Sequence, residues 1–204
     1  MQEKKFNELA GLAVQERGVL RLLISMTYDK QSIISWRAIE AVGIITGSLS
    51  KTNPEIVRNL IGRLLWMIRD ESGGIGWSSP EMLGEIVRNS PGLFPDIAPV
   101  IVSFHDEWML TAGVLRAIGR IGKINAGFAE YANSIAGKYL CDPDPVIRGY
   151  AAWAFGETGT SESVNDLKKL QNDNSVIAVY TEGELKKITV GRIAEKTIEK
   201  LKNQ

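Results

Sequence analysis

Cys141 is the only cysteine and His105 the only histidine in the 204-residue chain. An internal disulfide and a cysteine-rich zinc site are therefore excluded. Charge of one sign is also missing, because 24 Lys and Arg residues balance 24 Asp and Glu residues. No large basic excess points to nucleic acid or to an anionic membrane. No apolar run approaches the roughly 20 residues that span a bilayer. Met1 to Phe6 is polar and lacks the apolar core of a signal peptide. Strand signals are nearly absent. These absences leave a cytoplasmic protein as the expectation, with no cofactor and no bound metal.

What is present is helix. Apolar residues make up 44% of the chain and charged residues 24%, as in ordinary globular proteins, and the apolar ones recur at three- and four-residue spacing nearly throughout. The pattern predicts helices over 3–16, 19–27, 32–45, 54–69, 80–89, 95–104, 107–121, 126–140, 145–157, 162–171, 176–187 and 190–202. Asn53-Pro54 and Ser79-Pro80 each supply a cap followed by a proline at N1. Residues 1–204 read as a single domain: an N-terminal cap over 1–30, repeats over 31–188 and a capping helix over 189–204.

Repetition is the strongest signal. Trp36 to Gly43, Ala112 to Gly119 and Gly149 to Gly156 superpose without gaps, and Pro80 to Val87 fits between the first two. The copies are spaced by roughly 30 to 45 residues, the range of helix-pair repeats. The fullest copy runs Asp142-Pro143-Asp144-Pro145-Val146-Ile147-Arg148 into Gly149-Tyr150-Ala151-Ala152-Trp153-Ala154-Phe155-Gly156. Its Arg148 is expected to pair with Asp142 or Asp144 and fasten the turn. The glycine that closes three of the copies, where Pro80 to Val87 has Val87, is expected to let the chain turn tightly onto the next unit.

This motif resembles the unit of HEAT-like helical repeat proteins, the armadillo-type α-solenoids that include certain cyanobacterial bilin lyases and an alkylpurine DNA glycosylase family. The resemblance implies an all-α fold, a right-handed α-α superhelix of about five helix pairs, used chiefly as a binding scaffold. The stretch around Gly73 to Trp77 is also similar to a motif in uncharacterised bacterial HEAT-like proteins, which implies no activity.

Candidate site residues come from two places. The glycine-rich loop 70–79 is longer than a repeat turn needs and carries Asp70, Glu71, Ile75 and Trp77. A phosphate cradle there lacks the Gly-Lys-Ser/Thr that would follow, and its acidic neighbours repel anions. A calcium loop from Asp70 to Glu81 has the wrong residues at its third, fifth and sixth positions. The second place is the concave face. The superposed copies align Glu40, Gly84, Arg116 and Trp153 in one column, and Ile44, Arg88, Arg120 and Glu157 one turn on. Positions that vary among Glu, Arg and Trp are expected to face outward, and Trp and Arg dominate many interfaces. The expected partner-binding residues are Arg37, Glu40, Asp70, Glu71, Trp77, Glu85, Arg116, Arg120, Trp153 and Glu157. Trp66 is expected in the core, Cys141 is expected to be a small buried residue, and His105 reads as part of a capped turn.

No nucleophile or histidine accompanies the carboxylate pair Glu81/Glu85, so catalysis is not signalled. The expected function is that of a non-catalytic scaffold or adaptor, binding a protein or peptide through the concave face and the 70–79 loop. The alternatives are a lyase-like ligand site in a Trp/Arg-lined groove and, third, DNA binding of the glycosylase type, which the interrupting Glu40, Glu85 and Glu157 disfavour. Oligomeric state has no sequence signal.

Overall fold

The computed structural model describes residues 8, 11, 18–69 and 76–203. Ten α-helices follow one another among them: α1 (Gly18–Ser25), α2 (Ile33–Leu49), α3 (Pro54–Arg69), α4 (Ser79–Asn89), α5 (Ile97–Val102), α6 (Thr111–Ile121), α7 (Ala126–Lys138), α8 (Pro145–Thr158), α9 (Val164–Lys168) and α10 (Val190–Lys202). Between α9 and α10 lie two antiparallel strands, β1 (Val176–Thr181) and β2 (Glu184–Thr189). The expected helix over 3–16 lies outside the described residues.

Helix starts follow local chemistry. Side-chain oxygens of Ser32, Asn125, Asp144 and Thr189 accept from backbone N–H groups in the first turns of α2, α7, α8 and α10, satisfying donors that have no intrahelical partner. Pro54 opens α3, where its missing N–H costs nothing. Gly122, at φ 65°, ends α6 in a conformation that side chains resist.

The even-numbered helices form an inner layer in which α2 packs on α4, α4 on α6, α6 on α8 and α8 on α10. The odd-numbered helices back them from outside. The difference shows in burial. α3 buries one stripe, Val57, Ile61 and Leu64, whereas α4 is buried continuously from Ser79 to Val87. Trp66 sits two residues, or about 200°, around α3 from Leu64. It is therefore 60% exposed rather than a core residue. Cys141 is likewise exposed, in the turn after α7.

The repeat glycines are contact points rather than turns. A Cβ built on Gly84 would lie 2.8 Å from Ala117 Cβ, and one on Gly119 2.7 Å from the Trp153 ring. Their missing side chains let neighbouring inner helices approach closely.

The expected helix over 176–187 is instead the β-hairpin. Val176 pairs with Thr189 and Thr181 with Glu184. Glu182 (φ 53°) and Gly183 (φ 76°) make the two-residue turn, the left-handed pair that matches strand twist. Three other expected helices shorten by four residues or more: 95–104 becomes Ile97–Val102, 107–121 starts at Thr111, and 162–171 becomes a 3₁₀ turn over Ser161–Ser163 followed by Val164–Lys168. Arg148 does fasten its turn, through the carbonyls of Asp142 (2.7 Å) and Pro143 (2.9 Å). Its ionic partner is Asp173, 2.8 Å away in the following turn, and neither Asp142 nor Asp144.

Candidate partner-binding site

The column of Glu40, Gly84, Arg116 and Trp153 does line one face of the inner layer, but the hairpin lies across it. Arg116, at the middle of α6, is only 2% exposed. Its guanidinium carbon stands 4.5 Å from the ring centre of Trp36, 5.4 Å from Trp153, 5.8 Å from Tyr180 and 5.9 Å from Tyr150. Four aromatic faces around a guanidinium replace much of its lost hydration through their quadrupoles. Nη2 donates to the backbone carbonyl of Tyr180 at 3.1 Å. Nη1 makes no hydrogen bond of ordinary geometry among the described residues, although the Tyr150 phenol lies near enough to Arg116 for the guanidinium to oppose the burial-driven rise in its pKa.

Tyr180, from β1, fills the rest of the groove. Its ring stacks on Trp36 with centres 5.9 Å apart and planes 13° apart. Its hydroxyl donates to the Glu40 carboxylate in a short hydrogen bond. Burial first, and then the bond to Glu40 and the Glu40 charge, push the phenol well above its ordinary value. At the hairpin tip, Arg37 donates to the Gly183 carbonyl from Nε (3.2 Å) and Nη2 (3.1 Å). An element next to the C-terminus is thereby tied to the first inner helix.

The second column is closed by ion pairs. Glu85, 3% exposed, accepts from Arg120 through both oxygens, and Arg88 lies 3.6 Å away. Burial raises the Glu85 pKa, and Arg120 and Arg116 oppose it. Glu157 pairs with Lys200 at 2.7 Å. Arg116, expected to face outward, and Glu85, expected among the partner-binding residues, are therefore inside the molecule as it stands. The reason is the hairpin and the cross-helix pairing, which no comparison of repeat copies contains.

The open surface is at the loop edge. Trp77, in a single 3₁₀ turn over Gly76–Ser78, is 42% exposed, and Trp108 is 79% exposed. Together with Met67, Phe104, Met109 and Leu110 they line a cavity of about 630 Å³. Lys30 anchors this edge by donating to the Trp77 carbonyl (2.8 Å) and to Glu81 (2.6 Å). Asp70 and Glu71 lie outside the described residues. No cluster of metal-ligating side chains occurs among the described residues. His105 is held in its turn, with Tyr139 donating its hydroxyl to the His105 carbonyl at 2.8 Å.

A protein of Archaeoglobus fulgidus, described only as uncharacterised, is 33% identical over 166 residues, covering 80% of this chain and 86% of its own length. The chain belongs to its family. No family-level sequence profile matches the chain. Among solved structures, a designed armadillo repeat protein is similar at a TM-score of 0.55 and 18% identity, covering 97% of this chain and 91% of that one. An engineered protein is similar at a TM-score of 0.57 and 15% identity, covering 97% and 89%. The fold of this family member is thus a HEAT/armadillo-like α-solenoid, and the likeness extends to fold alone.

Three participants in the groove, Trp36, Tyr150 and Tyr180, were not among the sequence candidates. Trp36 was legible only as one of five tryptophans. Tyr180 was hidden by the reading of its segment as helix, although the β-branched run Val176-Ile177-Ala178-Val179 and the following Glu182-Gly183 are hairpin signals.

Proposed function

We propose that this protein is a non-catalytic repeat scaffold that binds a protein or peptide partner, with the Trp77–Trp108 edge as its open anchoring site and the groove of α2, α6 and α8 as its second. The single domain over 1–204 and a cytoplasmic setting belong to the same proposal. The observation that carries it is the pair of exposed tryptophans around one cavity of about 630 Å³. Large aromatic surface left in water at the mouth of a cavity is the feature from which interface anchors are drawn. No described helix is long and apolar enough to cross a membrane, so this patch is not explained as the flank of a spanning segment.

Selection from a displayed peptide library on the folded chain tests the reading. Binders are expected to lose about tenfold or more in affinity on Trp108→Ala or Trp77→Ala, with melting temperature nearly unchanged for Trp108→Ala. Binders indifferent to both substitutions would remove the edge from the site.

A further inference from the structure

Inside the groove, the hairpin's hold on Arg116 is incomplete. The Tyr180 carbonyl engages Nη2 and leaves Nη1 of a side chain that is 2% exposed without a hydrogen bond of ordinary geometry. A guanidinium presents two parallel N–H donors, and a carboxylate is the group that accepts both. Replacing the peptide nitrogen that follows the Tyr180 carbonyl by an oxygen would create such a carboxylate in place. The rest of the Tyr180 site already has the features of a receptor. Trp36 supplies a face for the ring, Glu40 an acceptor for the phenol and Arg37 a second cation nearby.

The hairpin is seated unevenly. Ile177 and Tyr180 of β1 are buried, Ile177 against Gly149 of α8, but a cavity of about 310 Å³ opens beside the hairpin, lined by Trp153, Val179, Tyr180, Ile188, Ile193 and Lys196. Its second strand has no fully buried residue. The tip therefore rests on Tyr180 and on two accepted hydrogen bonds at Gly183.

We propose that the groove is a receptor for a protein chain terminus ending in tyrosine, and that the β1–β2 hairpin occupies it in cis as a weaker self-ligand. This rests on the reading of the protein as a peptide-binding scaffold and names the chemistry of one partner. The terminal ring stacks on Trp36, its phenol donates to Glu40, and its carboxylate takes both arms of Arg116. The hairpin must swing away for it to enter, so a partner competes with Tyr180 and the free chain is held closed.

The test uses the full-length chain and a short fluorescein-labelled Gly/Ser peptide ending in tyrosine, as the free acid and as the amide. Tyr180→Ala vacates the ring site, and Tyr180→Phe removes only the tie to Glu40. The free acid is expected to bind Tyr180→Ala about tenfold tighter than the amide does, and about tenfold tighter than it binds wild type. Tyr180→Phe should fall between the two, and it decides the matter if Tyr180→Ala does not fold. Equal affinity for acid and amide overturns the proposal, as does equal affinity of all three chains, no binding included. A peptide that binds no tighter than N-acetyl-tyrosine overturns the assignment to a chain terminus. Trp108→Ala should leave this binding unchanged, so failure at the groove and failure at the edge are read separately.

Discussion

At the scale of single residues, charge and aromatic packing decide more than position in the repeat. Arg148 was legible as a turn fastener because Asp-Pro steps precede a helix, but Asp173 had no mark in the sequence as its partner. Arg148→Ala removes an ion pair and two charge-assisted bonds to carbonyls, and is expected to cost about 2 kcal/mol. An unchanged thermal midpoint would contradict this. Tyr180 gives a pH dependence. Its folded pKa stands above the ordinary 10.0, so the folded state keeps a proton that the unfolded chain releases. Stability is complete below about pH 10 and falls as pH rises toward the folded value. Tyr180→Phe should flatten part of that fall, leaving the share of Tyr139 and Tyr150, which are raised as well. Denaturation midpoints at about pH 9 and pH 11 check it; parallel declines in the two chains would exclude Tyr180 as a source.

At the scale of elements, α3, α4, α7, α8 and α10 were readable to within a residue or two, whereas α2 runs four residues past its expected end and α6 starts four residues late. α10 spans Val190–Lys202 as its periodicity implies. The hairpin was not, because Val176 to Lys187 mixes β-branched residues with Glu, Leu and Lys, and its apolar spacing fits either period. What settles the strand form is the turn. Gly183 at φ 76° is in the left-handed region that favours glycine, and Gly183→Ala is expected to cost about 1–2 kcal/mol. The inner-layer glycines carry a different cost. Gly84→Ala would force a methyl within 2.9 Å of the Ala117 backbone, and overpacking of this kind costs about 1–3 kcal/mol. Urea denaturation of both variants measures these losses, and a Gly84→Ala chain as stable as wild type would show that α4 and α6 can separate freely.

At the scale of the whole molecule, the superhelix was legible in the spacing of the repeats, whereas its closure was not. A contact between residues 140 positions apart, Glu40 and Tyr180, leaves no trace in a pattern that repeats every few tens of residues. In an open solenoid each unit touches only its neighbours, and damage at one end is felt weakly at the other. Here Tyr180→Ala should loosen α2 although the substitution lies beyond α9. Opening free energies for the amides of Trp36 to Val42 are expected to fall by about 3 kcal/mol. Exchange that quickens in the hairpin alone would mean that the two ends are not coupled.

The tie between Arg37 and Gly183 also counts. Tandem arrays lengthen and shorten by gaining or losing a unit, and an open one tolerates either. One more helix pair inserted between α4 and α6 would carry the first inner helix about 10 Å from the hairpin tip, out of reach of both Tyr180 and Gly183. Losing a pair would drive them together. The copy number of this array is therefore set by the chain itself, with the hairpin as its gauge.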